Sequence, residues 1–126
     1  MYNNSVDKQN SGTLKISLKD SEYIDKGEFG VQFYATKEDG LPFSALMVDV
    51  KGRHYLTKMK GASRIYLVTE GKGTFILDDK EESAEKGDLF VIKDGHKYEY
   101  TGNMKLFEIN IPGTDQTNQE NLDLKN

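Results

Sequence analysis

The chain has 126 residues, of which 36% are hydrophobic, and a formal net charge of -4 at pH 7. A chain of this length buries a core of its own but is too short for two domains. The acidic balance excludes a general attraction to nucleic acid or to an anionic membrane, so any basic function must be local.

Nothing near the start has the apolar core of a signal peptide, and no apolar run approaches the roughly 20 residues that a membrane-spanning helix needs. The chain has no cysteine, which excludes disulfides and thiolate chemistry and is compatible with a reducing compartment. We therefore expect a cytoplasmic protein. Its only histidines are His54 and His96, so a three-histidine metal cage within one subunit is excluded by count.

Both ends of the chain are polar. Residues 1–12 are rich in Asn and Ser, and residues 114–126 repeat that character. Neither segment has enough apolar surface to offset the entropy lost on ordering. We predict two disordered tails around one domain at 13–113.

Between these tails, short apolar runs alternate with turn residues. Alternation over 14–18 predicts an edge strand, and residues 21–28, which carry no period, predict a loop. Further strands are predicted at 29–36, 44–50 and 54–60, separated by Gly- and Pro-containing turns.

Two longer stretches organise the rest of the chain: RIYLVTEGKGTFIL at 64–77 and EKGDLFVIKDGHKYEY at 85–100. Both are rich in β-branched and aromatic residues and broken by glycines, which predicts strand pairs, with a tight turn at 70–73 in the first stretch. Two more strands follow before Pro112. Roughly eight to ten short strands without a convincing helix indicate an all-β jelly roll or a related sandwich.

The two stretches resemble the two motifs of the cupin superfamily, which is built on a jelly-roll β-barrel. The first motif, G-x5-H-x-H-x3,4-E-x6-G, ends on Gly71, and the second, G-x5-P-x-G-x2-H-x3-N, begins on Gly87. The resemblance covers roughly residues 43–112 and implies a cupin-type barrel. In this alignment the family's four metal-ligand positions are occupied by Lys58, Lys60, Arg64 and Tyr98. The resemblance therefore implies a barrel with no metal and no other cofactor.

The family's ligand positions point into the barrel, and strand alternation adds residues two positions away. The predicted cavity is lined by His54, Lys58, Lys60, Arg64, Tyr66, Tyr98 and His96. Three cations in a partly desolvated pocket are costly unless an anion balances them. We therefore predict an anionic small molecule, such as a sugar phosphate or a nucleotide-like compound, bound by Lys58, Lys60, Arg64, Tyr66 and Tyr98. From the residues alone, the lysines could equally be solvated, or paired with acids such as Glu108 and Asp49.

Two further functions stay open. Some metal-independent cupins isomerise or epimerise nucleotide-linked sugars with a His base and a Tyr acid. The resemblance thus implies, as an alternative, an isomerase or epimerase of phosphorylated or nucleotide-linked sugars in which His54 exchanges protons with Tyr66 or Tyr98. The other is a module that sequesters a nucleotide signal. His96 follows a turn, which is typical of a surface residue.

The strand beginning at Arg64 is apolar on both faces. If Tyr66 and Val68 point inward, Ile65 and Leu67 point outward, where Tyr34 also contributes. A strand that is apolar on both sides needs cover on both sides. We therefore predict a homodimer.

Overall fold

The computed structural model describes residues 12–125, so the predicted N-terminal tail lies almost entirely outside the described residues. The strands in this range are β1 (Glu22–Asp25), β2 (Phe29–Ala35), β3 (Ser44–Met59), β4 (Ser63–Leu77), β5 (Lys80–Glu85), β6 (Leu89–Ile92), β7 (Lys97–Ile111) and β8 (Gln119–Asn121). Four 3₁₀ turns lie at Leu18–Asp20, Lys37–Asp39, Gln116–Asn118 and Leu122–Lys125. None of the helical segments described is long and apolar enough to span a bilayer.

Three long antiparallel strands form the frame. β7 pairs along nearly its whole length with β3 on one side and with β4 on the other. β2 and then β1 extend the sheet beyond β3, while β6 and β5 pair with the two halves of β4. The predicted all-β architecture is confirmed.

One face of these strands builds the core because apolar and polar residues alternate along them. Val48, Val50 and Leu106 are buried, whereas Asp49 and Lys105 between them point to the outer face. Each fully buried aliphatic side chain of this kind stabilises the fold by about 1.5–3 kcal/mol relative to an exposed one. The core continues through Tyr66, Phe75, Phe90, Tyr98 and Tyr100.

Two predictions for the first thirty residues are wrong. The predicted edge strand at 14–18 is absent: this segment leads into a 3₁₀ turn, and Leu18 is exposed. The predicted loop at 21–28 instead contains β1, which forms a hairpin with β2. Gly27, with φ 90°, makes the turn possible, and Asp25 accepts a hydrogen bond from its amide.

The predicted turn at 70–73 is also wrong. β4 runs through these residues with a register shift between Val68 and Glu70. A Cβ on Gly71 would lie 2.2 Å from the carbonyl oxygen of Asn103 on β7. The glycines here allow two long strands to cross closely, and they do not reverse the chain.

The predicted C-terminal tail is wrong as far as it is described. Residues 114–125, here called the C-terminal strap, pack against the barrel, and β8 pairs with the end of β3 from Thr57 to Met59. Asp123 forms an ion pair with Arg53 at 2.8 Å. The folded part of the chain therefore continues beyond the predicted boundary at 113.

Candidate functional site

A cavity of about 300 Å³ lies between the inner faces of β1–β3, β7 and the C-terminal strap. Phe29, Val31, Phe33 and Leu46 contribute apolar wall to it. Its polar part is formed by His54, Tyr55, Arg64, Tyr100, Glu108, Asn110 and Gln119. The arrangement combines an apolar wall with a dense hydrogen-bonding patch, as is common for small-molecule sites.

Arg64 is the centre of the polar patch and is only 5% exposed. Its Nε lies 3.1 Å from the Glu108 carboxylate and donates a 2.6 Å hydrogen bond to Asn110. One terminal nitrogen donates to the Tyr98 hydroxyl at 2.7 Å, and the other to Gln119 at 3.1 Å. Burial alone would lower the pKa of Arg64, but the neighbouring Glu108 carboxylate and the tyrosines raise it well above its usual range. The buried charge is therefore already balanced within the barrel.

Tyr66 and Tyr98 lie together beside Arg64, as predicted, but behind the cavity wall. Their hydroxyls are hydrogen-bonded to each other at 2.8 Å, and the Tyr98 hydroxyl also accepts from Arg64. Burial raises the pKa of both phenols. Their visible role is to hold the Arg64 guanidinium in place.

His54 lies on the cavity wall and is 5% exposed. Its Nδ1 is 2.8 Å from the backbone carbonyl of Tyr55, which can only accept, so Nδ1 carries the proton and Nε2 keeps a lone pair. Burial, and to a smaller extent the Arg64 charge, lower the pKa of His54 to about 4. The ring is also held by stacking on Tyr55, with 4.3 Å between the ring centroids. His54 is therefore a neutral imidazole with a fixed tautomer.

Tyr100 lines the cavity but is not among the predicted ligand-binding residues, and the same is true of Tyr55, Asn110 and Gln119. Among residues 12–125, the Tyr100 hydroxyl is the buried side-chain polar atom that finds no hydrogen-bond partner. Burial raises the pKa of this phenol well above its usual range. Alternation from Tyr98 places Tyr100 on the same face, so the sequence did contain the signal. A buried orphan hydroxyl costs about 1–3 kcal/mol, which a polar atom of a ligand would offset.

Lys58 and Lys60 do not line the cavity, and their predicted place there is wrong. Both side chains are exposed, and neither is among the cavity residues. The pairing of β3 with β7 is irregular between His54 and Thr57, and this bulge shifts the alternation by one residue. Met59 and Thr57 consequently face inward, and the lysines face out.

The charge of the cavity is also opposite to the prediction. Among the residues that the structure describes, four carboxylates line it, Glu22, Glu38, Glu108 and Asp115, against two cations, Lys26 and Arg64, and Asp115 pairs with Lys37 at 3.3 Å. The predicted cationic pocket is wrong. The alternative pairing of Arg64 with Glu108 is what the structure contains.

Neither His96 nor Asp49 reaches the site. The His96 side chain is 54% exposed and contacts Asp78 on the surface, while Asp49 lies on the outer face of β3. Within the described part of the chain, no three or more His, Cys, Asp or Glu side chains converge as metal ligands would. The guanidinium of Arg64, a cation itself, occupies a position where the cupin motif has a metal ligand, so these residues do not fit the dication that the motif binds.

Ile65 and Leu67 face outward, as predicted, and form part of a larger apolar surface. One cross-strand row joins Met47, Phe107, Leu67 and Leu89, and a second joins Ala45, Ile109, Ile65 and Val91. We call these eight residues the outer apolar face. Leu89 is 59% and Val91 is 49% exposed. The homodimer stays a prediction that this surface could serve.

No family model and no curated protein matches the chain. Among solved structures, Pac13, described as a unique nucleoside dehydratase, is similar with a TM-score of 0.77 and 21% identity over 86% of this chain and 89% of Pac13. Three variants of Streptomyces Pac13, two with a Tyr and one with a His replaced, are similar structures containing uridine.

Two other similar structures are KdgF from Halomonas sp. and an RmlC-like cupin from Shewanella frigidimarina. KdgF has a TM-score of 0.72 and 15% identity over 85% of this chain and 99% of its own. The RmlC-like cupin has a TM-score of 0.70 and 17% identity over 83% of this chain and 96% of its own. The chain thus has a cupin-type β-barrel fold, as its motifs predict.

Proposed function

We propose that this protein is a metal-independent enzyme that moves a proton on an uncharged, hydroxylated ring compound of nucleoside size. The observation that carries the proposal is His54: a buried neutral imidazole on a cavity wall, with Nδ1 bonded to a carbonyl and Nε2 left as an acceptor. A general base must be neutral to accept a proton, and the lowered pKa of His54 keeps it so across the physiological range.

The charge balance of the cavity supports an uncharged ligand. A phosphate or carboxylate would enter a pocket in which carboxylates outnumber cations. Arg64, the cation buried deep in the cavity wall, already has a carboxylate at 3.1 Å. The sugar phosphate or nucleotide-like ligand expected from the sequence depended on the two lysines, which lie outside.

The size and walls of the cavity support a ring compound. A volume of about 300 Å³ is at the lower end for small-molecule sites. Phe29, Phe33 and Tyr55 offer aromatic surface for a ring, while Tyr100 offers a hydroxyl that lacks a partner. The likeness to a nucleoside dehydratase, and to its His and Tyr variants with uridine, supports a nucleoside within this class.

The chemistry follows from what surrounds His54. Its Nε2 would take a proton from a carbon beside a carbonyl, leaving an enolate whose negative charge the Arg64 guanidinium offsets. Where the deprotonated carbon carries a hydroxyl, the intermediate is an enediolate, and return of the proton to the former carbonyl carbon gives an isomer. Loss of a neighbouring hydroxyl as water, with a proton donated to it, gives an unsaturated product. Tyr100 lines the cavity, and its raised pKa keeps the phenol protonated at neutral pH, so we assign it as the donor to the reacting oxygen.

Matched pairs of compounds test the proposal: uridine with uridine monophosphate, and ribose with ribose 5-phosphate. We expect thermal stabilisation by the uncharged member of a pair and little by its phosphate. Stabilisation by the phosphates alone would instead support the anionic ligand predicted from the sequence.

Proton transfer is then followed by NMR in D₂O on a compound with a C–H beside a carbonyl, such as ribose in its open-chain form, as loss of that C–H signal or appearance of a product. Uridine has no such C–H and serves for the binding measurement only. His54→Gln should retain binding and abolish the exchange, since the glutamine cannot act as a base. Binding with the ligand recovered unchanged by the wild-type protein would contradict the enzyme and favour the sequestering module.

A further inference from the structure

The C-terminal strap places one side chain directly in the polar patch. Gln119 accepts a hydrogen bond from Arg64 at 3.1 Å through its carbonyl oxygen, and its amide nitrogen donates to the Tyr55 hydroxyl at 3.3 Å. Its backbone is fixed because Gln119 pairs with Met59 of β3. In addition, the neighbouring Asn118 accepts a hydrogen bond from the Lys60 amide through its backbone carbonyl and donates one to the Lys60 carbonyl through its side chain. The side chain can therefore move while the strap stays in place.

Of the groups that hold Arg64, Gln119 is the replaceable one. Asn110 and Tyr98 are fully buried in the barrel and bond Arg64 at 2.6 and 2.7 Å. Gln119 is only partly buried, comes from the C-terminal strap, and makes the longest of these hydrogen bonds. A ligand that reached Arg64 from the cavity would meet Gln119 first.

We propose that the Gln119 carboxamide is a place-holder, which a ligand displaces by making the same two hydrogen bonds to Arg64 and Tyr55. This inference rests on the proposed function only for its choice of ligand. The displaced group accepts one hydrogen bond and donates another from adjacent atoms, so the ligand must present the same pair. In a nucleoside, both the lactam edge of a pyrimidine and the cis-diol of ribose do so.

The place-holder also keeps the site closed. Tyr55 stacks on His54, and Gln119 bonds the Tyr55 hydroxyl, so release of Gln119 frees the ring that covers the imidazole. Any ligand then binds only the fraction of molecules in which the carboxamide has left, which weakens its apparent affinity.

The first test needs no ligand and uses the reactivity of His54 towards diethyl pyrocarbonate. His96, the other histidine, is exposed and is removed by His96→Gln, so the remaining signal reports His54 alone. In this background we expect Gln119→Ala to raise the rate of His54 modification by about fivefold or more. The matched control is Gln116→Ala, also in the strap and on the cavity, which should react like the parent. Equal rates in all three proteins would overturn the place-holder.

The second test measures binding of uridine, 3-methyluridine and methyl β-riboside to wild type and to Gln119→Ala. We expect the variant to bind the productive probe about five- to tenfold more tightly, since two competing hydrogen bonds are gone. If 3-methyluridine does not bind, the lactam edge of the base is the part that replaces the carboxamide. If methyl β-riboside binds, the ribose diol is that part. Weaker binding by Gln119→Ala would make Gln119 a direct ligand contact and refute displacement. If no probe binds the wild type, the nucleoside class proposed above fails, and the His54 reactivity alone decides on Gln119.

Discussion

Replacing Glu108 by Gln tests the charge balance on which the proposed ligand class depends. The change keeps the shape of the side chain but removes the carboxylate 3.1 Å from Arg64, with both side chains at most 7% exposed. Removing one partner of a buried ion pair costs about 3–5 kcal/mol, because an uncompensated charge stays behind. Arg64 keeps its hydrogen bonds to Asn110, Tyr98 and Gln119, so we expect the lower end, about 3 kcal/mol. For a domain of this size that corresponds to a melting temperature lower by roughly 10 °C.

Urea unfolding followed by circular dichroism measures this loss. The control is Asp49→Asn, which removes a carboxylate from the outer face of the neighbouring strand β3. There the free energy of unfolding should change by less than about 1 kcal/mol, since water screens the interactions of a charge on the outer face. A similar, small loss in both variants would refute the claim that Glu108 balances a buried charge.

The same variant should also change the preference for anions. Without Glu108, the guanidinium of Arg64 faces the cavity with no counter-charge, and inorganic phosphate should raise the melting temperature of Glu108→Gln more than that of wild type. If phosphate stabilises both proteins equally, the wild-type cavity already accepts anions, and the argument for an uncharged ligand fails.

Three further outcomes follow from the structure. The pKa of His54 is lowered from 6.5 in the unfolded chain to about 4 in the folded one. As the pH drops from 6.5 towards 4, the unfolded chain therefore binds the proton before the folded one does, and the free energy of unfolding falls by about 3 kcal/mol in all. When urea unfolding is measured at several pH values, this dependence of the free energy of unfolding on pH should be absent in His54→Gln. A Cβ on Gly71 would meet β7 backbone, whereas one on Gly87 meets open space. Gly71→Ala should therefore cost well over the roughly 1 kcal/mol expected of Gly87→Ala, and equal costs by urea unfolding would contradict the close crossing. If the outer apolar face joins two copies, ultracentrifugation should show a wild-type dimer and a Val91→Lys monomer, and a monomeric wild type would refute the homodimer.

The sequence predicted the site best where a strand runs unbroken from a motif glycine. Arg64 and Tyr66 were placed inside the barrel because β4 alternates regularly up to Val68. β7 alternates from Tyr98 to Asn110, so Glu108 could be placed on the same inner face. In both strands the alternation of successive side chains between the two faces was enough to predict which residues point inward.

The prediction failed where the period is interrupted or where the chain returns from far away. One bulge in β3 reversed the faces of Lys58 and Lys60 and so removed two of the three predicted cations from the cavity. A bulge depends on how two strands pair with each other, so it cannot be predicted from the sequence of either strand alone. Gln119 lies in a polar segment whose composition is typical of disorder. The segment is ordered by contacts with β3, which its own composition does not reveal.

Arg64 stands at a position where the cupin motif has a metal ligand, and a guanidinium there decides what the barrel can bind as well as how it acts. A dication held by neutral histidines brings net positive charge to the cavity and attracts anionic groups. A guanidinium this deeply buried must have a counter-ion, which here is Glu108, so the pair brings no net charge. What remains for a ligand is the N–H array on the side of the guanidinium that bonds Gln119, which can polarise a carbonyl or stabilise an enolate once the carboxamide is displaced. Such an array stabilises a charge that forms during the reaction without first attracting a charged ligand, and this is why the proton chemistry and the uncharged ligand belong to one proposal.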